Sequence, residues 1–281
     1  MKPVLFGIDV LGYHVDVLSY LVFNIFLNIV VFVLLGVFFL CRDGVGRGRA
    51  FSSMAFIAVT ALVGARLAHV VLSYRHYMEL GMNPFGFSGG YTMFGGFVLA
   101  VPAVIWVCRR LQISTWTFLD AVAPGWALGV FLNKIGCFLN GCCFGRPTYV
   151  PWGVVYPDGS IPHYHYYSVE LSRQLIASGG VLPYRIHPVQ LYESAVGLAG
   201  FAFLLWMLYR PRTPGLAFTL FASLYSGSRL LLHFFRATPE HLSASPRTVA
   251  VLYTMTFLLA LMMFLYRFRA GHMLRKADTN S

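Results

Sequence analysis

The sequence predicts an all-α integral membrane protein with seven transmembrane helices. Of the 281 residues, 58% are hydrophobic and only 11% are charged, and the mean hydropathy is +0.67. Because a soluble domain carries about a quarter charged residues, this composition excludes an ordinary water-soluble globule. Ten acidic residues against 21 Lys and Arg also exclude an acidic disordered chain and a calcium protein built from carboxylate clusters.

The formal net charge of +11 has two interpretations, nucleic-acid binding and membrane insertion. The cations do not form one basic face, as a nucleic-acid-binding surface would require. They lie in short clusters between long apolar runs, which is the pattern of the positive-inside rule. We therefore predict membrane lipids as partners and no nucleic acid.

Seven apolar stretches are long enough for the roughly 20 residues that span a bilayer as a helix. The first stretch lacks a signal-peptide cleavage site and is predicted to be a retained anchor. Gly95, Gly96 and Pro102 in the third stretch predict an interrupted or kinked helix. The stretches are 17–41, 51–74, 91–108, 116–140, 187–209, 215–236 and 248–268.

The distribution of Lys and Arg in the links predicts the orientation. The links after spans one, three and five, with the C-terminal tail, hold eleven of these cations, and the opposite side holds seven over longer segments. Cytoplasmic loops carry the excess of Lys and Arg, so we expect the N-terminus outside and the C-terminus in the cytoplasm.

One link, 141–186, is too long for a simple connector. It contains six tyrosines, whose rings suit the membrane interface. We predict a small periplasmic head between spans four and five, inserted in a single polytopic domain that covers 1–281. The chain shows no internal repeat, so the inverted-repeat signature of many secondary transporters is missing.

Five ionisable residues fall inside the predicted spans, and each costs at least about 2.5 kcal/mol at the bilayer centre. Arg66 and Lys134 either face the protein interior or extend to the headgroups. Three cations against two anions leave one positive charge in excess, which predicts an anionic ligand, and phospholipid phosphate is the most available anion there. The five are Arg66, Lys134, Arg229, Asp120 and Glu193.

On the sixth span, helical spacing aligns Tyr225, Arg229, His233 and Arg236 in one polar stripe that lipid would not tolerate. Two explanations are open for Tyr225 and His233, a ligand site or hydrogen bonds to neighbouring helices.

On the fourth span, Asn133, Cys137 and Asn140 share a face beside Lys134. The chain then leaves through a glycine-containing segment in which Gly145 allows close backbone approach to a ligand. Arg146 can hold a phosphate bidentately, whereas Lys134 acts as a point charge.

The fifth span opens with His187-Pro188-Val189-Gln190-Leu191-Tyr192-Glu193. Pro188 suits a helix start. His187 and Gln190 are then expected on one face at the outer mouth. Glu193, one turn deeper, can pair with an internal cation, and that pairing is either its whole role or part of a site.

The cysteines divide into two groups. Cys41 and Cys108 are predicted to be small buried hydrophobic residues, whereas Cys137, Cys142 and Cys143 cluster near the outside. With His163 and His165 the cluster offers zinc ligands, but there is no C-x-x-C and the spacing matches no standard zinc pattern. We therefore predict no metal and no cofactor, and leave both a disulfide and free thiols open.

These motifs together resemble the prolipoprotein diacylglyceryl transferases of bacterial inner membranes. The stretch from Lys134 to Thr148 resembles the family signature R-I-G-N-F-I-N-G-E-x-x-G-R-P-T or a cysteine-bearing form of it, and the stretch from His187 to Glu193 resembles H-P-x-Q-L-Y-E. The further similarities are Tyr20 in the first span, Gly64-Ala65-Arg66 in the second, and Tyr225, Arg229 and Phe234-Phe235-Arg236 near the sixth.

The resemblance implies an enzyme that moves the diacylglyceryl group of phosphatidylglycerol onto the lipobox cysteine of a prolipoprotein signal peptide and releases glycerol phosphate. It implies catalytic roles for Arg229, Lys134, His187, Glu193 and His233. It implies that phosphatidylglycerol contacts Tyr20, Arg66, Asn140, Gly145, Arg146, Gln190 and Tyr225.

The chain departs from the family pattern at several positions. Phe94 aligns with the histidine of the family's H-G-G, a favoured candidate for the catalytic base, and phenylalanine cannot take a proton. His187 or His233 can replace that base, since imidazole titrates near neutral pH. Alternatively no base is needed, because nearby cations stabilise the substrate thiolate. Three functions therefore stay open, namely the transferase, a same-fold relative that binds lipid or uses another acceptor, and a transporter.

Overall fold

A computed structural model of the chain describes residues 4–10, 13–18, 21–79, 91–157, 160–166, 185–210, 213–237 and 246–279. Tyr20, one of the predicted lipid contacts, lies outside these residues. The chain forms two compact units. The first contains Met1–Val31 and Trp126–Ser281, and the second contains Phe32–Gly125.

Each of the seven apolar stretches contains a long helix. The helices are α1 (Leu27–Arg42), α2 (Arg47–Leu72), α4 (Met93–Leu111), α5 (Thr115–Asn140), α7 (Val189–Leu208), α8 (Leu216–His233) and α9 (Pro246–Thr279), and two short helices complete the described set, α3 (Tyr74–Glu79) and α6 (Ile161–Tyr166).

Among the described residues, five helical segments are long and apolar enough to cross a membrane. They are Val22–Arg42, Arg47–Leu72, Thr115–Asn140, Val189–Leu208 and Thr248–Met273. The apolar composition behind the membrane prediction is thus confirmed for these five. Membrane crossing by α4 and α8, and the orientation of the chain, stay predictions.

The described residues before the first helix form two strands, which the all-α prediction did not include. Strands β1 (Val4–Val10) and β2 (Tyr13–Leu18) pair antiparallel, with Val10 opposite Tyr13. Polar and apolar residues alternate along Tyr13-His14-Val15-Asp16-Val17 with the period of a strand. Helix begins only at Leu21, as a π-helical segment (Leu21–Phe26) that continues into α1.

In the second unit, glycines allow α2 and α4 to pack closely. A Cβ on Gly64 would collide with the carbonyl oxygen of Gly95 and lie 3.0 Å from the Cβ of Leu99. Small residues allow membrane helices this approach. The sequence suggested that Gly95 and Gly96 interrupt the third span. They do not, because α4 runs unbroken from Met93.

In the first unit, the N-terminal helical segment lies against α5 in the same way. A Cβ on Gly136 would lie 2.7 Å from the Cβ of Phe23 and would collide with the side-chain oxygen of Asn24. Gly129 likewise faces the side-chain oxygen of Asn28. This approach brings two asparagine side chains to the face of α5 that carries the predicted site residues.

The described part of the predicted head, 141–157, 160–166 and 185–186, is held by isolated β-bridges. Pro147 and Val154 both bridge to Ile186, and Gly145 bridges to Arg236 beyond α8. A small core of Phe144, Tyr156, Ile186 and Ala237 fills the space between these segments. The bridges hold the segment that follows α5 against the residues just before α7 and just after α8.

Candidate functional site

The centre of the site is the carboxylate of Glu193, which is 1% exposed in the second turn of α7. The ammonium of Lys134 lies 2.6 Å from Glu193 Oε2. Arg229 forms an ion pair with Oε1, and Arg236 Nη1 lies 3.5 Å from the same oxygen. A buried carboxylate is stable only when it is paired, and this one faces three cations from three parts of the chain.

This arrangement, which we call the Glu193 cluster (Lys134, Glu193, Arg229 and Arg236), contains three cations and one anion. It carries a formal surplus of two positive charges. The sequence predicted a positive surplus within the spans, and the structure joins Lys134, Glu193 and Arg229 in one ion-pair network. The other two ionisable residues of that prediction, Arg66 and Asp120, belong to the second unit.

Tyr253 on α9 is a member of the site that the sequence analysis missed. Arg229 donates a hydrogen bond to its hydroxyl, and the guanidinium carbon lies 4.9 Å from the ring centroid. The ring of His233 also lies 6.1 Å from that of Tyr253. The span carries several other hydroxyl residues, so the sequence did not single out Tyr253.

Gln190 connects α7 to the segment after α5. It is fully buried, its amide donates to the carbonyl of Cys142 at 2.7 Å, and its oxygen accepts a hydrogen bond from Tyr156 at 3.2 Å. Burial raises the pKa of the Tyr156 hydroxyl to about 12, so it remains a donor at neutral pH. Both polar ends of Gln190 therefore hold protein groups in place.

Gly145 and Arg146 lie where the segment after α5 meets α7 and the end of α8. A Cβ on Gly145 would lie 2.7 Å from both His187 Cβ and Val189 Cγ2, so this position requires glycine. Arg146 is exposed, and its Nε donates to the carbonyl of Arg236 at 3.2 Å. The two positions keep an exposed guanidinium beside an arginine of the Glu193 cluster.

His187 precedes α7 and does not share a helical face with Gln190, contrary to the sequence prediction, because the helix begins only at Val189. Its Nδ1 lies 3.3 Å from the Tyr192 hydroxyl, and its ring centroid lies 5.1 Å from that of Phe235. Burial lowers the pKa of His187. The imidazole is therefore neutral at pH 7 and able to accept a proton.

The polar stripe of the sixth span is also shorter than predicted, because α8 ends at His233 and Arg236 lies beyond the turn that follows, in the bridge to Gly145. Arg236 reaches the Glu193 cluster from that bridge and not along the helix. Tyr225 packs its ring between Trp126 and Phe221, with centroids 5.8 and 6.0 Å away.

The remaining predicted contacts have different surroundings. Asn140 is the half-buried last residue of α5 and hydrogen-bonds to Cys142. Arg66 donates to the Tyr77 hydroxyl at 3.1 Å, and its guanidinium lies 5.7 Å from the ring centroid of Tyr91.

The three outer cysteines come together, in keeping with the cluster predicted from the sequence, although their spacing matches no standard zinc pattern. The sulfur atoms of Cys137, Cys142 and Cys143 all lie within 4.8 Å of one another, and all five cysteines of the chain are free thiols. Hydrogen bonds from Cys137 and Cys142, together with the charges of Arg236 and Lys134, lower the pKa of the Cys143 thiol. This group, called the cysteine cluster below, lies beside the Glu193 cluster.

Comparison with protein families gives one match that covers most of the chain. The model of the prolipoprotein diacylglyceryl transferases matches residues 10–267. The chain belongs to this family. The resemblance noted from the sequence motifs is thereby confirmed, and the protein is a multi-pass membrane protein.

Curated relatives of this transferase family agree. A phosphatidylglycerol–prolipoprotein diacylglyceryl transferase of Clostridium tetani is 25% identical over 243 residues, which cover 85% of this chain and 87% of the relative. Those of Sinorhizobium medicae and Cutibacterium acnes are 35% and 30% identical, over 53% and 70% of this chain. The chain spans about half of the S. medicae protein, 47%, and 63% of the C. acnes protein.

Proposed function

We propose that the protein transfers the diacylglyceryl group of phosphatidylglycerol to the lipobox cysteine thiol of prolipoproteins and releases glycerol phosphate. Membership of the family and the names of the relatives support this function. The observation that carries it in the structure is the Glu193 cluster, a buried set of charges with a surplus of two positive charges.

That surplus suits the charge that develops in the reaction. The phosphodiester of phosphatidylglycerol carries one negative charge, and the glycerol phosphate that leaves carries two. Cations aimed at the oxygen that gains charge lower the barrier most, because they bind the transition state better than the substrate. Lys134 and Arg229 are the residues we assign to this role, and Glu193 holds both of them in place.

The other polar residues are assigned to the headgroup and the lipid. Arg146 is exposed beside Arg236 and can bind a phosphate through its fork of donors. Asn140, Gly145 and Gln190 shape the headgroup site, the last through its hydrogen bond to Cys142. Tyr225, Tyr20 and Arg66 are proposed to orient the lipid.

The nucleophile belongs to the peptide substrate, so the enzyme needs no nucleophilic side chain of its own. It needs a group that accepts the thiol proton, and we assign this role to His187 because its imidazole is neutral at pH 7. His233, whose ring lies near Tyr253, is the second candidate.

We further propose that the protein acts in the bacterial inner membrane, with residues 141–186 forming the periplasmic head of a single polytopic domain. A lipobox peptide arrives from that side. The excess of Lys and Arg in the opposite links supports this orientation.

An assay with purified protein in detergent, labelled phosphatidylglycerol and a lipobox peptide tests the function. We expect label on the peptide as a thioether, and none on a peptide whose cysteine is serine. Arg229→Ala should lower transfer by about 100-fold or more, the usual cost of a lost donor to a developing oxyanion. Arg210→Ala removes an exposed cation beyond the C-terminal end of α7 and should leave the rate of transfer unchanged. Absence of label with folded, lipid-bound protein would contradict the proposal.

A further inference from the structure

The cysteine cluster has no role in the proposed function so far, although it lies beside the cations that are to bind phosphate. Cys137 lies in the last turn but one of α5 and is 5% exposed, while Cys142 and Cys143 are half-buried in the turn that follows. Their three sulfur atoms lie within 4.8 Å of one another.

The backbone after α5 is folded in a way that produces this approach. Gly141 has φ +78°, and the amide of Cys142 hydrogen-bonds back to the carbonyl of Cys137 at 3.1 Å. Cys143 has φ +59°, a left-handed conformation that non-glycine residues rarely adopt and that is concentrated at functional sites. Gln190 holds the carbonyl of Cys142 from α7.

Asparagine side chains surround the sulfur of Cys137. The amide of Asn24 donates to it at 3.6 Å, and the Cys137 thiol itself donates to the side-chain oxygen of Asn133, 3.8 Å away on the preceding turn of α5. An N–H donor directed at a sulfur stabilises a thiolate, as outer-shell hydrogen bonds do around metal ligands. Asn24 is brought to this position by the close approach of the N-terminal helical segment to Gly136.

We propose that Cys137, Cys142 and Cys143 bind one Zn²⁺ ion, whose open fourth position takes the thiol of the peptide substrate. Three thiolates are soft ligands of the kind that select a closed-shell ion such as Zn²⁺. Zinc–sulfur bonds are about 2.3 Å long, so tetrahedral ligands lie about 3.8 Å apart. Since no two of the sulfur atoms are more than 4.8 Å apart, each pair needs to close by at most about 1 Å to reach this geometry.

Three protein ligands and one open position are the pattern of catalytic rather than structural zinc sites. The charges also fit. Zn²⁺ with three thiolates carries one negative charge, and the neighbouring Glu193 cluster has a surplus of two positive charges. Lys134 is three residues from Cys137 on α5 and therefore lies on the adjoining face.

The inference rests on the proposed function for the identity of the thiol. When the substrate cysteine binds Zn²⁺ it loses its proton, which passes to His187 or to water. The thiolate sulfur then attacks the glycerol carbon of the diacylglyceryl group and forms the C–S bond. The C–O bond to phosphate breaks, and its electron pair leaves with glycerol phosphate, whose second negative charge is stabilised by the Glu193 cluster. No oxidant or reductant is required.

Zinc content is the first test and does not depend on activity. Full-length protein purified in detergent without chelator should contain about one Zn²⁺ per chain. Changes outside the ligand set lower metal affinity by roughly 10–100-fold, and Asn24→Ala should lower the Zn²⁺ affinity within that range. Cys143→Ser removes a ligand and should lower the Zn²⁺ affinity by more. Cys41→Ser removes a half-buried thiol outside the cluster and should leave the zinc content unchanged.

Cobalt substitution tests the open position. Co²⁺ in the wild-type site should show thiolate charge-transfer and tetrahedral d–d bands. A lipobox peptide should shift those bands, whereas the same peptide with serine in place of cysteine should not. Absence of zinc and of cobalt bands in reduced wild-type protein, or a native disulfide within the cluster found by mass spectrometry, would overturn the site. Bands that the peptide does not shift would overturn the substrate position.

Activity separates this inference from the function on which it rests. If protein freed of metal transfers label as fast as zinc-loaded protein, the role of the metal in transfer is wrong and the proposed function stands. If zinc-loaded protein transfers nothing, the proposed function fails, and the zinc content and cobalt spectra still decide whether the site exists.

Discussion

Glu193 is the residue on which the arrangement of the site depends, because its carboxylate is the shared partner of Lys134, Arg229 and Arg236. A buried ion pair contributes little net stability compared with an apolar replacement, but a buried charge without its partner is costly. Removal of this carboxylate therefore affects stability and phosphate binding together.

We predict that Glu193→Gln lowers the free energy of unfolding by about 3–5 kcal/mol, because three cations then lose their counter-charge in a buried site. Lys134→Met in the same chain should recover part of this loss, since it removes one uncompensated cation. Denaturant unfolding in detergent measures both effects. Asp43→Asn, an exposed change, should stay within about 0.5 kcal/mol. Strictly additive effects of the two substitutions would contradict the network.

The pH dependence of transfer tests His187 as the base. Burial lowers the pKa of His187 from its ordinary value of 6.5, and the neutral form is the one that accepts a proton. We expect kcat/KM to be flat at neutral pH and to fall as the pH drops through a midpoint below 6.5, where the ring becomes charged. His187→Gln should lower kcat/KM by about 100-fold and remove this acidic limb.

His233→Gln is the comparison for that profile. If it removes the acidic limb and His187→Gln does not, the base is His233. If neither substitution alters the profile, neither residue is the base.

At the scale of elements, apolar runs predicted the positions of the seven long helices, because burial in lipid demands a continuous apolar stretch. They could not predict which helices meet. Helical spacing places Tyr225 and Arg229 on one face, but the ion pair of Arg229 is with α7 and its hydrogen bond is with Tyr253 on α9. Contacts between elements distant in sequence leave no periodic signal along one helix.

The turns between elements were the least predictable part. The spacing of Cys137, Cys142 and Cys143 matches no ligand pattern, yet the turn after α5, in which Gly141 and Cys143 have positive φ, brings their sulfur atoms within 4.8 Å of one another. Arg236 was predicted to continue a helical stripe, but it lies beyond the turn after α8, in the bridge to Gly145, and reaches Glu193 from there. Turn geometry depends on a few backbone angles that hydropathy does not report.

Gly145 lets the segment after α5 pack closely against the start of α7, because glycine has no side chain. A methyl group there would lie 2.7 Å from His187 Cβ and Val189 Cγ2, so His187 and the start of α7 would have to shift. We predict that Gly145→Ala costs about 1–3 kcal/mol, as overpacking does, and lowers transfer because the proposed base His187 is displaced. Unfolding and transfer assays on the same preparation measure the two effects.

Gly48→Ala is the matched control for that substitution, because a Cβ at this helical position meets nothing within 4 Å. Alanine in a helix interior is favoured over glycine by about 1 kcal/mol, so the control should be neutral or stabilising. Equal effects of the two substitutions would show that the contacts of Gly145 are unimportant.

For the whole molecule, the scarcity of charge determines both the membrane location and the site. With 21 cations and 10 anions in 281 residues, each cation has either a topological role or a partner in the protein. Eleven lie in the links predicted to face the cytoplasm, and Lys134 and Arg229 share one buried carboxylate. The same excess of positive charge is thus predicted to orient the chain and provides the surplus proposed to bind an anionic lipid.

The orientation leads to a prediction for fusion proteins in a bacterial host. Green fluorescent protein attached after Ser281 should fluoresce and alkaline phosphatase attached there should be inactive, because the C-terminal tail is expected in the cytoplasm. Alkaline phosphatase inserted near Val155, in the predicted head, should be active. An insertion after Gly44, in the first link predicted to be cytoplasmic, is the control and should behave like the C-terminal fusion. Active phosphatase after Ser281 with inactive enzyme near Val155 would invert the topology and place the Glu193 cluster on the side opposite to the prolipoprotein.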